Sequence, residues 1–489
     1  RLFRPKPPHP AIQPRSRYSA RELAARTGGL SFSHDCVRTA GHGITQRMSE
    51  MQTQPSGASS WYAALYLGCG YAVAFIDRGI LGVVAAPIQH ALHLTDSQFG
   101  LLHGIAFILL FCLAGIPLGW LADRWSRRAI IAIGMLVWTV MTAACGLASH
   151  ILPFFLARIG VGLGEACLLP AGASLLALLL PRQHMARASA IFLIGATSGN
   201  AIALLGGGYL LSQLSKSAPL HLPLVGALDP WQMLFLLAAL PGLVAAPLAM
   251  TLPKLPRDDT PRPFWPHLRT ALAHIARHGR AYGCLAGATA CSNVLTQTQG
   301  AWVPLFYMRQ FGLPPGQAAM LVGGMYLLSA PAGQFAGGYL TDRLQARNLP
   351  GSQNLSLAAG LILSVAPAAL FCSATSLPLS MAGYVLFNFI AFATTPNGLA
   401  GVQIITPAPL RGLITALLVS FVSLVGIGLG PALVGLLSDR LFHGASHLGS
   451  AMLLVLSLAG LAGPVLALTG RLAFARAARA CLPTQTALL

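Results

Sequence analysis

Charge is what this sequence has least of. Asp, Glu, Lys and Arg make up 9% of its 489 residues, against 55% hydrophobic residues and a mean hydropathy of +0.66. A soluble domain carries about a quarter charged residues, so this balance points to a polytopic membrane protein. Acidic groups are the scarcest: 12 Asp and Glu face 31 Lys and Arg, a formal net charge of +19. The excess does not read as nucleic-acid binding, because no aromatic-interleaved basic patch of the kind single strands need is present. The nine cysteines contain no C-x-x-C pair and mostly lie in apolar runs, where free Cys behaves as a small hydrophobe. Neither a disulfide framework nor a zinc site is supported. No P-loop, H-E-x-x-H or G-x-S-G site occurs, which argues against an ATP-driven pump within this chain. "GVGLG" at Gly160 lies in an apolar run with no preceding strand and is not a dinucleotide fingerprint. No catalytic residue, metal or cofactor is expected.

What is there is a succession of long apolar runs. A spanning helix needs roughly 20 apolar residues, and twelve candidates meet that need. Six lie near 61–87, 98–122, 129–148, 152–179, 188–212 and 231–251; six more lie near 282–307, 317–340, 354–374, 378–404, 412–437 and 449–470. The expected fold is an all-α polytopic membrane protein, twelve transmembrane helices in two six-helix pseudo-repeat bundles (61–251 and 282–470). Loop charge sets the topology. Past residue 60, and apart from Arg78 and Arg158, every Lys and Arg except Lys216, Arg309 and Arg440 falls in one set of connections or in the tail 471–489. By the positive-inside rule that set, and both termini, are cytoplasmic, in a plasma or bacterial inner membrane.

Residues 1–60 form a basic tail expected to be disordered. Its composition also fits a mis-assigned start, with Met48 or Met51 the true one. The connection 252–281 places Leu268, Leu272 and Ile275 at helical spacing, with Arg269, His274, Arg277 and His278 available to water. That pattern predicts an amphipathic helix on the inner surface.

Four charges interrupt the apolar runs. "YAVAFIDRGILGVV" sets Asp77 beside Arg78, and "ARIGVGLGEA" carries Arg158 and Glu165. An ionisable residue at membrane depth costs at least about 2.5–3.5 kcal/mol, so such groups face a cavity or a partner. Asp77 and Arg78, adjacent on a helix, diverge by about 100° and serve different neighbours. Arg158 and Glu165, seven apart, lie on one face about two turns apart. The expectation is that Asp77 and Glu165 are proton-sensitive carboxylates held near Arg158 and Arg78, and that protonation frees an arginine for an anionic substrate. The alternative is a static set of buried salt bridges. Gly160 and Gly164 offer a close-packing groove.

The two halves echo one another. "GWLADRWSRR" follows the second run, with Gly119, Asp123, Arg124, Arg127 and Arg128, and "GYLTDRLQAR" follows the eighth, with Gly338, Asp342 and Arg343. "RASAI" at Arg187 is matched by "RGLITA" at Arg411. Internal repeats are the usual plan of secondary transporters. The paired motif, over roughly residues 60–470, resembles the signature of the major facilitator superfamily, with Ser126 where a glycine is usual and one trailing basic residue missing from the second copy. That resemblance implies that these residues latch the two halves on the inner side and re-form in each cycle. Gly119 and Gly338 would permit the close helix approach.

A first-helix "DR" with a fourth-helix "R-x-G-x-G-x-G-E-A" further resembles the Spinster-like branch. The branch implies proton-linked carriers of amphiphilic lipids such as lysophospholipids and sphingosine phosphate, with Asp77, Arg158 and Glu165 lining a central cavity. "GATSGNAIALLGGG" is similar to a glycine-rich antiporter motif but has Asn200 in place of proline. Gln297, Asn388 and Asn397 are candidate polar cavity residues, interhelical hydrogen bonding being the equal alternative. His103 reads as a packed residue, and Gly430–Pro431 as a kink.

The resulting expectation is a monomeric secondary transporter working by alternating access. It would be coupled to protons and would move an organic anion or lysolipid-type amphiphile, with membrane lipids as the other partners and no nucleic acid. A multidrug or small-metabolite exporter, and a transport-inactive receptor, are the alternatives.

Overall fold

The computed structural model describes residues 57–180, 182–217, 220–222, 226–254, 264–347, 349–442 and 447–481. The basic tail to residue 56, the two candidate start methionines within it, and residues 482–489 lie outside the described residues. In lipid every backbone polar group must be satisfied within the chain, and helices are how this sequence does so.

The first bundle comprises α1 (Gly57–Val83), a short α2 (Ala85–Ala91), α3 (Asp96–His103) and α4 (Ile105–Arg124). It continues with α5 (Arg127–Leu147), α6 (Ile151–Glu165), α7 (Leu168–Leu179), α8 (Arg182–Leu214) and α9 (Pro230–Leu248). A small antiparallel hairpin, β1 (Leu220–Leu222) with β2 (Gly226–Leu228), pairs Leu220 with Leu228. The second bundle follows α10 (Phe264–Arg277). It holds α11 (Gly279–Phe311), α12 (Pro315–Ala346), α13 (Ser352–Ser373) and α14 (Leu377–Ile405). Then come α15 (Arg411–Ser423), a π-helical turn (Leu424–Leu429), α16 (Gly430–Arg440) and α17 (Leu448–Cys481).

Among the described residues ten helices or helix pairs are long and apolar enough to cross a membrane. Helices α11 and α12, at 33 and 32 residues, complete twelve spans. The first is the more polar, carrying Ser292, Asn293, Thr296, Gln297, Thr298 and Gln299.

Several spans expected to be continuous are broken. The second divides at Gly104, where a Cβ would lie 2.5 Å from the Gly428 carbonyl oxygen of the π-turn. The fourth divides immediately after Glu165. The eleventh loosens into the π-turn before Gly430–Pro431, so the irregularity lies one turn ahead of the expected kink. Helix α3 begins with a capping box between Thr95 and Gln98, and α9 with one between Asp229 and Gln232.

Within each bundle, close backbone approach is supplied by glycine. Gly195 and Gly199 of α8 pack on the Gly68 and Ala72 backbone of α1, so this glycine-rich stretch is used for packing. Gly333 and Gly337 of α12 pack on the Phe389 and Ala393 carbonyl groups of α14, whereas Gly338 meets nothing within 4 Å. The close approach expected at Gly338 therefore falls one residue earlier.

Candidate functional site

The four charges buried in the first bundle come together between α1 and α6. Arg78 donates from Nε to Glu165 Oε2 at 2.8 Å, and its Nη2 also pairs with that oxygen. Arg158 Nη1 lies 3.8 Å from Asp77 Oδ1, an ion pair too long for a hydrogen bond. Asp77 Oδ2 instead accepts a hydrogen bond from Thr142 Oγ1 of α5 at 2.8 Å. Adjacent Asp77 and Arg78 thus serve different partners, as helical geometry requires. Asp77, Arg158 and Glu165 side chains are 2% exposed, and Arg78, at 16%, is the most open of the four.

Phe107 of α4 organises the cationic side. Its ring lies 4.3 Å from the Arg78 guanidinium and 5.6 Å from that of Arg158, and Phe75 and Phe111 flank Arg78 at 4.8 and 5.3 Å. Aromatic faces stabilise desolvated cations without consuming their hydrogen-bond donors. Arg158 therefore keeps unused capacity: its Nε and Nη1 have no hydrogen-bond partner among the described residues, nor do Asp77 Oδ1 and Glu165 Oε1. A buried guanidinium with spare donors is suited to hold an anion.

Glycine fixes this geometry. A Cβ on Gly162 would lie 2.0 Å from the Phe107 carbonyl oxygen, and one on Gly164 would lie 2.5 Å from the Trp138 nitrogen. Gly162→Ala should force α4 from α6 and lower stability by about 1–3 kcal/mol. A thermal-unfolding comparison with Gly283→Ala, where nothing lies within 4 Å, checks this. Equal melting temperatures would contradict the packing account.

The other expected residues are placed differently. Arg127 Nε donates to Ser174 at 2.9 Å and Arg128 Nη1 to the Met250 carbonyl at 3.2 Å, both within the first bundle. Asp342 and Arg343 are exposed, Arg343 lying 4.7 Å from the Tyr339 ring. Gly119, Asp123 and Arg124 lie outside the described side chains. Asn397 spends its amide on Thr341 and Ser356, joining α12, α13 and α14 as a packing network. Asn388 donates to Ser329 at 2.6 Å and leaves Oδ1 without a partner among the described residues. Gln297 is half-buried. The residue missed in that stretch is Gln299, which is 1% exposed with both amide atoms unpartnered among the described residues. His103, half-buried at the end of α3 against Phe99, leaves its buried Nδ1 likewise unpartnered.

A second polar cluster joins the two bundles at the α1–α3 end. Arg309 of α11 grips Asp96 through both terminal nitrogens, at 2.8 and 2.7 Å, and reaches Gln89 at 3.1 Å. Ser438 and Gln89 also donate to Asp96, and Asp439 accepts from the Ser97 backbone nitrogen at 2.8 Å. An acidic group from one bundle thus sits on the helix N-terminus of the other. Near this end Gly208 of α8 packs on the Gly316 backbone of α12. A separate apolar cleft of about 560 Å³ between α12 and α14 is lined by Met325, Leu328, Met381, Val385 and Phe389.

Comparison with known proteins agrees with this architecture. Residues 67–431 match the family described as Major Facilitator Superfamily. An MFS-type efflux pump of Mycolicibacterium smegmatis is 27% identical over 421 residues, 83% of this chain and 91% of that protein. The sphingosine-1-phosphate transporter SPNS2 of Danio rerio is 26% identical over 261 residues, 50% of this chain and 47% of that one. The crystal structure of a bacterial homologue of the human lysosomal transporter Spinster, inward-facing and unoccupied, superposes with a TM-score of 0.69 at 25% identity. It covers 87% of this chain and 98% of its own. The twelve-span fold and the family match make the chain a multi-pass membrane transport protein of the major facilitator superfamily, similar to its Spinster-like branch and not an enzyme.

Proposed function

We propose that the protein is a proton-coupled secondary transporter of an organic anion or a lysolipid-type amphiphile, working by alternating access. The observation that carries this reading is Arg158, buried beside Asp77 with two donor nitrogens unused among the described residues. With Asp77 ionised, Arg158 is neutralised by it. Protonating Asp77 removes that counter-charge and leaves the guanidinium to bind the substrate's anionic group. Glu165 and Arg78 form the second acid–base pair of the same buried cluster, with Arg78 its most exposed member. No step needs a cofactor.

The apolar cleft between α12 and α14 favours an amphiphile over a small hydrophilic anion, since it offers surface for a hydrocarbon tail. The sphingosine-1-phosphate transporter relative supports the same substrate class. Export of drugs or small metabolites is the second reading, favoured by the efflux-pump relative. With the basic connections cytoplasmic, the end joined by Asp96 and Arg309 would face outward, and its closure supports an inward-open reading of this arrangement.

Purified protein in liposomes under an imposed pH gradient, offered lysolipids, small organic anions and cationic drugs in turn, tests the assignment. Gradient-dependent movement of lysolipid supports it. Movement of cationic drugs alone would replace it with the exporter reading.

A further inference from the structure

Helix α10 presents three faces with different chemistry. Ala271 is buried and Ile275 packs against the core formed with α11, α14, α15 and α17. Trp265 and Leu272, seven residues apart and so on one stripe, are 69% and 49% exposed. Beside that stripe Arg269 and Arg277, eight apart, line a cleft of about 390 Å³ with Thr270, Ala273, His274 and Leu410. Leu272, read from its spacing as part of the helix's apolar face, thus belongs to the exposed apolar stripe.

This geometry is that of a helix lying in a membrane interface, where a tryptophan anchors at the headgroup level. A basic cleft running alongside such a stripe is where a lipid phosphate would be while its chains cover Trp265 and Leu272. Among the described residues no acidic side chain lines the cleft. Desolvation holds His274 below the ordinary imidazole range, outweighing its contact with the Ile405 carbonyl oxygen at 3.5 Å. The charge of the cleft is therefore that of its two arginines. We infer that the cleft between α10 and the start of α15 is a binding site for the phosphate headgroup of an anionic phospholipid.

The site bears on the second bundle. The Ile405 carbonyl that His274 approaches also accepts from Tyr282 at 3.1 Å and from Cys481 at 3.2 Å, and Arg411 donates to the neighbouring Thr406 carbonyl at 3.0 Å. A bound lipid would brace α10 against the α14–α15 junction. The inference rests on membrane insertion and on no particular substrate or coupling ion.

Native mass spectrometry of the full chain, released from detergent holding equal phosphatidylglycerol and phosphatidylcholine, is the test. The unmutated protein should retain phosphatidylglycerol in preference by about thirtyfold, the scale set by two interfacial arginines. Arg269→Gln/Arg277→Gln should lose that preference, each single variant should be intermediate, and Arg269→Lys/Arg277→Lys should keep most of it. Arg476→Gln/Arg479→Gln, which removes equal charge elsewhere, should leave it unchanged. Should the double glutamine variant fail to fold, the single variants decide. Undiminished preference in the α10 variants, or equal loss in the control, would overturn the site. Displacement of the lipid by an equal concentration of glycerol phosphate would also overturn it, by making the ligand a soluble phosphate.

Discussion

Arg158→Lys is expected to lower transport about a hundredfold in a protein that still folds and inserts. Lysine keeps a positive charge opposite Asp77, so the bundle retains its buried pair. It cannot reproduce a planar fork, and the two hydrogen bonds lost from a charged donor to an anion are worth about 1.5–3 kcal/mol each. About 3 kcal/mol is two decades in rate or affinity. Initial uptake rates in liposomes, with a melting curve as the control for folding, check this. A lysine variant transporting within a few-fold of the unmutated protein would mean that Arg158 is a packing residue, and the buried charges a static set.

Arg309→Ala should shift the protein toward the arrangement in which the α1–α3 end is open. Asp96 is 5% exposed and takes two hydrogen bonds from Arg309, its one basic partner among the described contacts. Removing one partner of a buried pair costs about 3–5 kcal/mol, and less here because Arg309 is itself 21% exposed. That cost falls only on the state in which the bundles meet at this end, so the separated state should gain at least about tenfold in population. Spin labels at exposed Gln98 and Arg440, in a background with the native cysteines replaced, report the separation directly. An unchanged distance distribution would show that the glycine contacts of α8 and α12 hold the end closed unaided.

What the sequence revealed follows from contrast. Asp77, Arg78, Arg158 and Glu165 stand out because lipid tolerates no idle charge, and one-dimensional spacing already places Arg158 and Glu165 on one face. Asp96 and Arg309 gave no such signal. Each lies at a helix end among connection residues, where charge is expected for topology alone, and 213 positions separate them. Thr142 and Phe107 were invisible for a different reason: a threonine and a phenylalanine in an apolar run look like every other core residue until a neighbour's charge is placed beside them. Gln299 lost to Gln297 because a polar run on a helix does not say which side faces inward. The Gly-x-x-x-Asp-Arg motif was legible as a repeat, but spacing does not encode what its side chains pair with. The break at Gly104 falls where the second span meets the π-turn of the eleventh, so no local rule marked it.

The central claim is that Asp77 couples proton movement to substrate movement. Liposomes carrying an internal pH dye and a labelled lysolipid allow both fluxes to be followed in one vesicle. The unmutated protein should accumulate substrate under an imposed proton gradient. Asp77→Asn should exchange substrate across the membrane at a rate within a few-fold of normal while neither accumulating it nor moving protons. Gradient-driven accumulation by Asp77→Asn equal to that of the unmutated protein would contradict the account.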